Sequence, residues 1–150
     1  MTTVLGAADA IRIDGKEALI EKFIAGREMT VAVLGEKAFP VVEICAKGGW
    51  YGYDEKYESD ETEYPFPDDP FLPELQQIAI SAYKACGCRG VVRVDFRIDE
   101  SGAPYVLELN TLPGMTSHSL VPKAAAKTGI SFPKLCDLIL DAAAFDPSER

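Results

Sequence analysis

Two short runs of strict alternation, VVRVDFRI at residues 91–98 and PYVLELN at 104–110, constrain this chain more than any other feature. Apolar and polar residues that exchange at every step have the period of a half-buried strand. In the first run Val92, Val94, Phe96 and Ile98 share one side, and Arg93, Asp95 and Arg97 share the other. In the second, Tyr105, Leu107 and Leu109 fall on the apolar side, with Val106, Glu108 and Asn110 on the polar side. The ESGA between them, residues 100–103, is a turn signal, so a hairpin with a four-residue loop is expected. That loop sets a register: Asp99 opposite Pro104, Arg97 opposite Val106, Asp95 opposite Glu108, Arg93 opposite Asn110.

Two carboxylates facing each other across a strand pair repel unless a cation lies between them. Asp95, Glu108 and Asn110 present three hard oxygen donors on one face, which suits Mg²⁺. The other reading is a cross-strand ion-pair network in which Arg93 and Arg97 neutralise the two acids. Spacing alone leaves both open.

Upstream, residues 1–14 carry enough apolar positions for a weak helix. Residues 18–24 (ALIEKFI), 29–34 (MTVAVL) and 39–46 (FPVVEICA) read as successive strands of an antiparallel meander, with a bend at Gly26-Arg27 and a turn at 35–37. Pro40 is confined to a strand start or an edge. Periodicity then disappears from Lys47 to Pro73, and a loop of that length is functional or disordered, its tyrosines arguing against plain disorder. Residues 74–86 (ELQQIAISAYKAC) place Leu75, Ile78, Ala79, Ala82 and Cys86 on one helical face, with Pro73 suited to the first turn. A second helix, VPKAAAKTG at 121–129, follows a polar turn, and Ser131 caps a third in which Leu135, Leu138, Ile139 and Ala142 form an apolar stripe. Residues 146–150 are a polar tail, and the whole chain reads as one α+β domain.

Fifteen basic against twenty-four acidic residues give a net charge of −9, which argues against nucleic acid or an anionic membrane as partner. No apolar run reaches the roughly 20 residues of a bilayer span, and no signal core follows a basic start, so a cytoplasmic location is expected. Cys45, Cys86, Cys88 and Cys136 follow no zinc spacing, and reduced, mostly buried thiols are expected. An apolar face left uncovered on the first strands would favour self-association as a homodimer.

The motifs Arg93-x-Asp95 and Glu108-x-Asn110, with the long match NTLPGMTSHSLVP at 110–122, together resemble the D-alanine–D-alanine ligases of the ATP-grasp superfamily. The resemblance runs from about Glu17 onward and corresponds to the C-terminal ATP-grasp subdomain, an antiparallel sheet flanked by helices, with the family's N-terminal part absent. It implies ATP and two Mg²⁺ or Mn²⁺ ions as cofactors, and two D-alanines joined through an acyl phosphate for peptidoglycan synthesis. By the same resemblance Glu21, Lys22, Phe23 and Ile24 meet the adenine and Glu28 the ribose. On its own, Phe23 reads as a strand residue in the core. Lys56 and Tyr57 match a Lys-Tyr pair on a flexible loop (47–73) that closes over the phosphates, with Lys56 on ATP and Tyr57 in the catalytic set. Arg93 and the Gly114 N–H would stabilise the oxyanion, Ser119 and Leu120 would hold the second substrate's carboxylate, and Asp95, Glu108 and Asn110 the metal. His118, amid Ser and Thr, reads as structural. Two alternatives stay open: another ATP-grasp carboxylate–amine ligase or D-alanine–D-lactate ligase, and a fragment that binds nucleotide or metal without turnover.

Overall fold

A strand that is apolar on one side and charged on the other needs a strand neighbour along each edge and a layer over its apolar side. The computed structural model, which describes residues 21–45 and 62–143, supplies both. Its strands are β1 (Gly26–Leu34), β2 (Lys37–Ala38), β3 (Val42–Ile44), β4 (Val91–Asp99) and β5 (Pro104–Asn110). Its helices are α1 (Leu72–Ala85), α2 (Leu120–Lys127) and α3 (Phe132–Asp141). The sheet runs β2-β1-β4-β5, with β3 also paired to β1, and every pairing is antiparallel.

Alternation along β1 and β4 sorts the core into two layers. On one face Met29, Val31 and Val33 join Val92, Val94, Phe96 and Ile98 beneath Leu75, Ala79 and Tyr83 of α1. On the other, Ala32, Val42 and Ile44 pack with Leu120, Val121, Ala124, Ala125 and Leu135 from α2 and α3. Each fully buried Leu, Val or Phe removes enough apolar surface from water to contribute about 1.5–3 kcal/mol. α1 carries Pro73 in its first turn, Glu74 near its N-terminus and Lys84 near its C-terminus, all suited to the helix ends they occupy. Ser131 caps α3 by accepting from Lys134 N.

Several expectations change. Residues 21–25 are not strand, and residues 1–20 lie outside the described residues. Gly26 and Arg27 open β1 instead of bending the chain, and β1 takes β4 as the neighbour where a meander would place residues 18–24. The 39–46 strand is interrupted at Pro40, which has no N–H to donate to a ladder, and resumes as β3. α1 begins at Leu72 and buries Tyr83, whose hydroxyl donates to Gly90 O, while Cys86 is exposed. The four cysteines are free thiols as expected, but none is buried. β1 is buried from Met29 to Val33, and among the described residues the exposed large apolar side chains are Phe23, Leu112, Phe132, Leu140 and, on β5, Tyr105, Val106 and Leu107. Among the described residues no helix is long and apolar enough to cross a membrane.

The β4–β5 hairpin keeps Arg93 opposite Asn110 and Asp95 opposite Glu108, but slips by one residue beyond Asp95. Phe96 then faces Val106, Arg97 faces Tyr105 and Ile98 faces Pro104, which leaves Leu107 as the extra residue of a bulge. Tyr105 and Val106 therefore exchange sides relative to simple alternation. The slip originates in the loop. Asp99 Oδ1 accepts from Ser101 Oγ, Ser101 N and Ala103 N at 2.6, 2.8 and 2.9 Å, so the closed loop spans five residues rather than four.

Two outcomes follow from this geometry. Gly26 has φ +137°, and a Cβ there would meet Ile98 O at 1.9 Å, so Gly26→Ala should cost roughly 1–3 kcal/mol of stability in urea unfolding. The Ser101 hydroxyl, then the Ala103 N–H, hold the Asp99 carboxyl below the usual carboxylate range. A depressed folded pKa gives a contribution that is complete above the unfolded value of about 4 and is lost as pH falls through the lower folded value. Amide protection at Ser101 and Ala103 should decline in that acid window, and Asp99→Asn should abolish the pH dependence.

Candidate functional site

Pairing of β1, β4 and β5 lines up three cross-strand rows on the face opposite α1: Ala32·Arg93·Asn110, Thr30·Asp95·Glu108 and Glu28·Arg97·Tyr105. Successive rows stand roughly 7 Å apart, two strand residues. α2 and α3 pack over the end of this face at Ala32, Leu34 and Val91, and the other two rows continue toward Gly26. Asp95, Glu108 and Asn110 thus share a face, as the sequence predicts.

Asp95 is only 4% exposed. Its Oδ1 accepts from Arg93 Nε at 2.9 Å and from Thr30 Oγ at 2.6 Å, and its Oδ2 accepts from Arg93 Nη2 at 2.8 Å. A bidentate guanidinium on a buried carboxylate fixes both partners in orientation as well as charge. The ion-pair reading therefore holds for Asp95 and Arg93. It does not hold for Arg97, which turns away from both acids: Nη1 lies 3.2 Å from Glu28 Oε2, Nε donates to Ile24 O at 3.0 Å, and the guanidinium stands 5.5 Å from the Phe23 ring centre.

The donor set fits a hard divalent cation. All three candidate ligands offer oxygen, Glu108 is exposed, and Asn110 Oδ1 accepts one long bond, 3.3 Å, from Leu112 N. Asp95 Oδ2 takes one hydrogen bond and has a second lone pair. Among the described residues no three His, Cys, Asp or Glu side chains converge on a point, so any metal here relies on two acids and an amide.

Past Asn110 the chain turns toward α2. A Cβ on Gly114 would meet Ser119 Oγ at 2.8 Å, so glycine is what lets that loop lie against the helix start. Ser119 occupies the N-cap position of α2 but makes no side-chain cap bond; its Oγ instead accepts from Thr116 N at 3.0 Å and pairs with Thr116 Oγ. His118 is exposed, with its backbone N–H on Thr116 Oγ. Of the residues assigned to adenine, Glu21, Lys22 and Phe23 are exposed and Ile24 is half-buried. Phe23, at 54% exposure, is not a core residue. Lys56 and Tyr57 lie outside the described residues.

Three side chains with fixed polar partners escape the sequence reading, two on this face and one on the other. Thr30 alternates with Met29 and Val31, and that signal could have placed it on the polar face. Tyr105 reaches the Arg97 row only through the bulge. Arg27, on the α1 side, is clamped by Glu43 at 2.9 and 2.7 Å and by Asp69 at 3.0 and 2.9 Å, and these bonds raise its pKa further, Glu43 first.

Arg93→Met should lower stability by about 3–5 kcal/mol, because it leaves a buried carboxylate without its cation. The double variant Arg93→Met with Asp95→Leu should recover most of that loss in the same urea titration, since Thr30 Oγ retains Val94 O at 3.2 Å as an acceptor.

A profile of the family described as D-ala D-ala ligase C-terminus matches residues 5–141. The chain is 51% identical over 146 residues to a D-alanine--D-alanine ligase of Bordetella petrii, covering 93% of this chain and 44% of the relative. It is 44% identical over 144 residues to one of Magnetococcus marinus, covering 93% and 46%. A crystal structure of D-alanine--D-alanine ligase from Bacillus anthracis complexed with ATP superposes with TM-score 0.78 at 30% identity, over 94% of this chain and 46% of that one. The VanG D-Ala:D-Ser ligase of Enterococcus faecalis gives TM-score 0.70 at 35% identity, over 81% and 37%. The chain thus spans just under half the length of the relatives it matches.

Proposed function

Because the chain belongs to the D-ala D-ala ligase C-terminus family, we propose that it serves ATP-dependent joining of two D-alanines into D-alanyl-D-alanine. The observation that carries this reading is the three-row polar face. A nucleotide lying along the strands would meet Phe23 and Ile24 with its base, Glu28 with its ribose and the Asp95·Glu108 and Asn110 positions with its phosphates. Row spacing of roughly 7 Å suits those successive parts.

Asp95, Glu108 and Asn110 would hold Mg²⁺ or Mn²⁺, which when bound offsets phosphate charge during transfer. In the proposed reaction the γ-phosphoryl passes to the carboxylate of one D-alanine. The amine of a second D-alanine then attacks that carbonyl, loses a proton and expels phosphate, leaving a peptide bond. Arg93, aimed by its two bonds to Asp95, would support the oxyanion that forms at the carbonyl, and the Gly114 N–H would be the second donor. Ser119, at the N-cap position of α2, and Leu120, its first residue, would hold the second substrate's carboxylate. Lys56 and Tyr57 would act from the 47–73 segment on the phosphates.

The test is calorimetric binding of Mg²⁺-ATP followed by D-alanine-dependent phosphate release, measured for the 150-residue chain alone and with the N-terminal part of a related ligase added in trans, turnover being expected only in the second case. Glu108→Gln and Asp95→Asn should each weaken Mg²⁺-ATP binding by at least about tenfold. Unchanged affinity in both would remove the metal assignment. D-Lactate or D-serine accepted in preference to D-alanine as the second substrate would redirect the reading to a neighbouring ligase type.

A further inference from the structure

We propose that Arg97 is the positioning residue of the nucleotide's base and ribose end. This rests on the nucleotide reading above and adds a residue that the metal and oxyanion roles leave unused. Residues 21–25 have no strand partner of their own, yet they must present a ring and a backbone edge to a ligand. Arg97 attaches them to the sheet. Its Nε donates to Ile24 O at 3.0 Å, its Nη1 donates to Glu28 Oε2 at 3.2 Å, and its guanidinium stands 5.5 Å from the Phe23 ring centre.

Those three contacts use three different properties of one side chain. The fork supplies two directed donors, the charge neutralises Glu28, and the flat face supports an aromatic ring. Lysine could supply the charge and donors from a single nitrogen, but neither the fixed fork nor the flat face. Both members of the Arg97–Glu28 pair are largely shielded, with side chains 12% and 15% exposed, so the pair is less screened than a surface bridge. Phe23, by contrast, stays more than half exposed. A ring held in place while still open to solvent is poised to stack a planar base, and ordering it beforehand lowers the entropy lost on binding.

Arg97 sits one row from Asp95 and two from Arg93, so its effect should be confined to one end of the ligand. The phosphates have their own partners. That separation gives a readout which general destabilisation would not mimic.

The experiment compares dissociation constants of the full chain and its variants for Mg²⁺-ATP and for Mg²⁺-tripolyphosphate, which lacks base and ribose. Arg97→Met should weaken ATP by roughly ten- to a hundredfold, the loss expected for charge-assisted hydrogen bonds, and leave tripolyphosphate within about twofold. Arg97→Lys should recover only part of the loss. Phe23→Leu, at an exposed position that does not threaten folding, should repeat the selective loss of ATP. ATP affinity unchanged in Arg97→Met, fully restored by Arg97→Lys, or lost in parallel with tripolyphosphate would overturn the assignment. If the unsubstituted chain itself fails to bind ATP, the nucleotide reading falls and takes this inference with it. Normal ATP binding with an indifferent Arg97→Met sinks the inference alone.

Discussion

A carboxylate almost wholly removed from water sits in the middle of this sheet, and the pairing of three strands answers to it. An ionised group in that position is tolerated only when donors and a cation meet it from within the protein. Thr30 comes from β1 and Arg93 from β4 itself, while β5 sets a second carboxylate, Glu108, opposite and makes those two partners the more necessary. The alignment of β1 with β4 is thereby fixed. A slip of one residue would set Met29 or Val31 beside Asp95 and turn Thr30 toward the apolar layer under α1.

Much of this was legible in the residues. The alternation of Val92, Val94, Phe96 and Ile98 fixed which side of β4 is core, and the Arg93·Asn110 and Asp95·Glu108 pairs follow from the hairpin. Helices α1 and α3 lie close to where period and caps place them. What the sequence could not supply was the partner of β1, because alternation names a strand's faces and is silent on a neighbour some 65 residues away. Nor did it reveal the bulge. The carboxylate of Asp99 closes a longer loop, and PYVLELN absorbs the extra residue at Leu107 because Tyr and Val can exchange sides with little hydrophobic loss.

Helix coverage then decides where chemistry can occur. α1 covers its face along β1 and β4, whereas α2 and α3 gather at the Leu34 end of theirs, so the Asp95 and Arg97 rows run out beyond the helices. On the α1 side, Arg27 ties β1 to Glu43 of β3 and to Asp69 ahead of α1. Beside it, Cys45 pairs with Glu63 in a bridge and Glu43 N donates to Pro65 O. Lys123 and Lys127 of α2 add contacts to the rings of Tyr64 and Phe66. The described residues on either side of 46–61 are thus joined to each other.

Ion pair and metal ligand were rival readings of Asp95 from sequence, and the geometry makes them compatible. Oδ1 spends both of its lone pairs, on Arg93 Nε and Thr30 Oγ, whereas Oδ2 spends one on Arg93 Nη2. A cation approaching from the Glu108 side can therefore be met by Oδ2 without dismantling the bridge to Arg93. The two functions also reinforce each other. A guanidinium gripped through Nε and Nη2 cannot swing toward a substrate, so it acts from a fixed position, and donors set in advance need no reorganisation when negative charge develops. Asp95 is then the residue through which fold and reaction are coupled: the buried carboxylate takes Arg93 as its partner in the sheet, and the proposed chemistry needs that carboxylate to keep Arg93 in place.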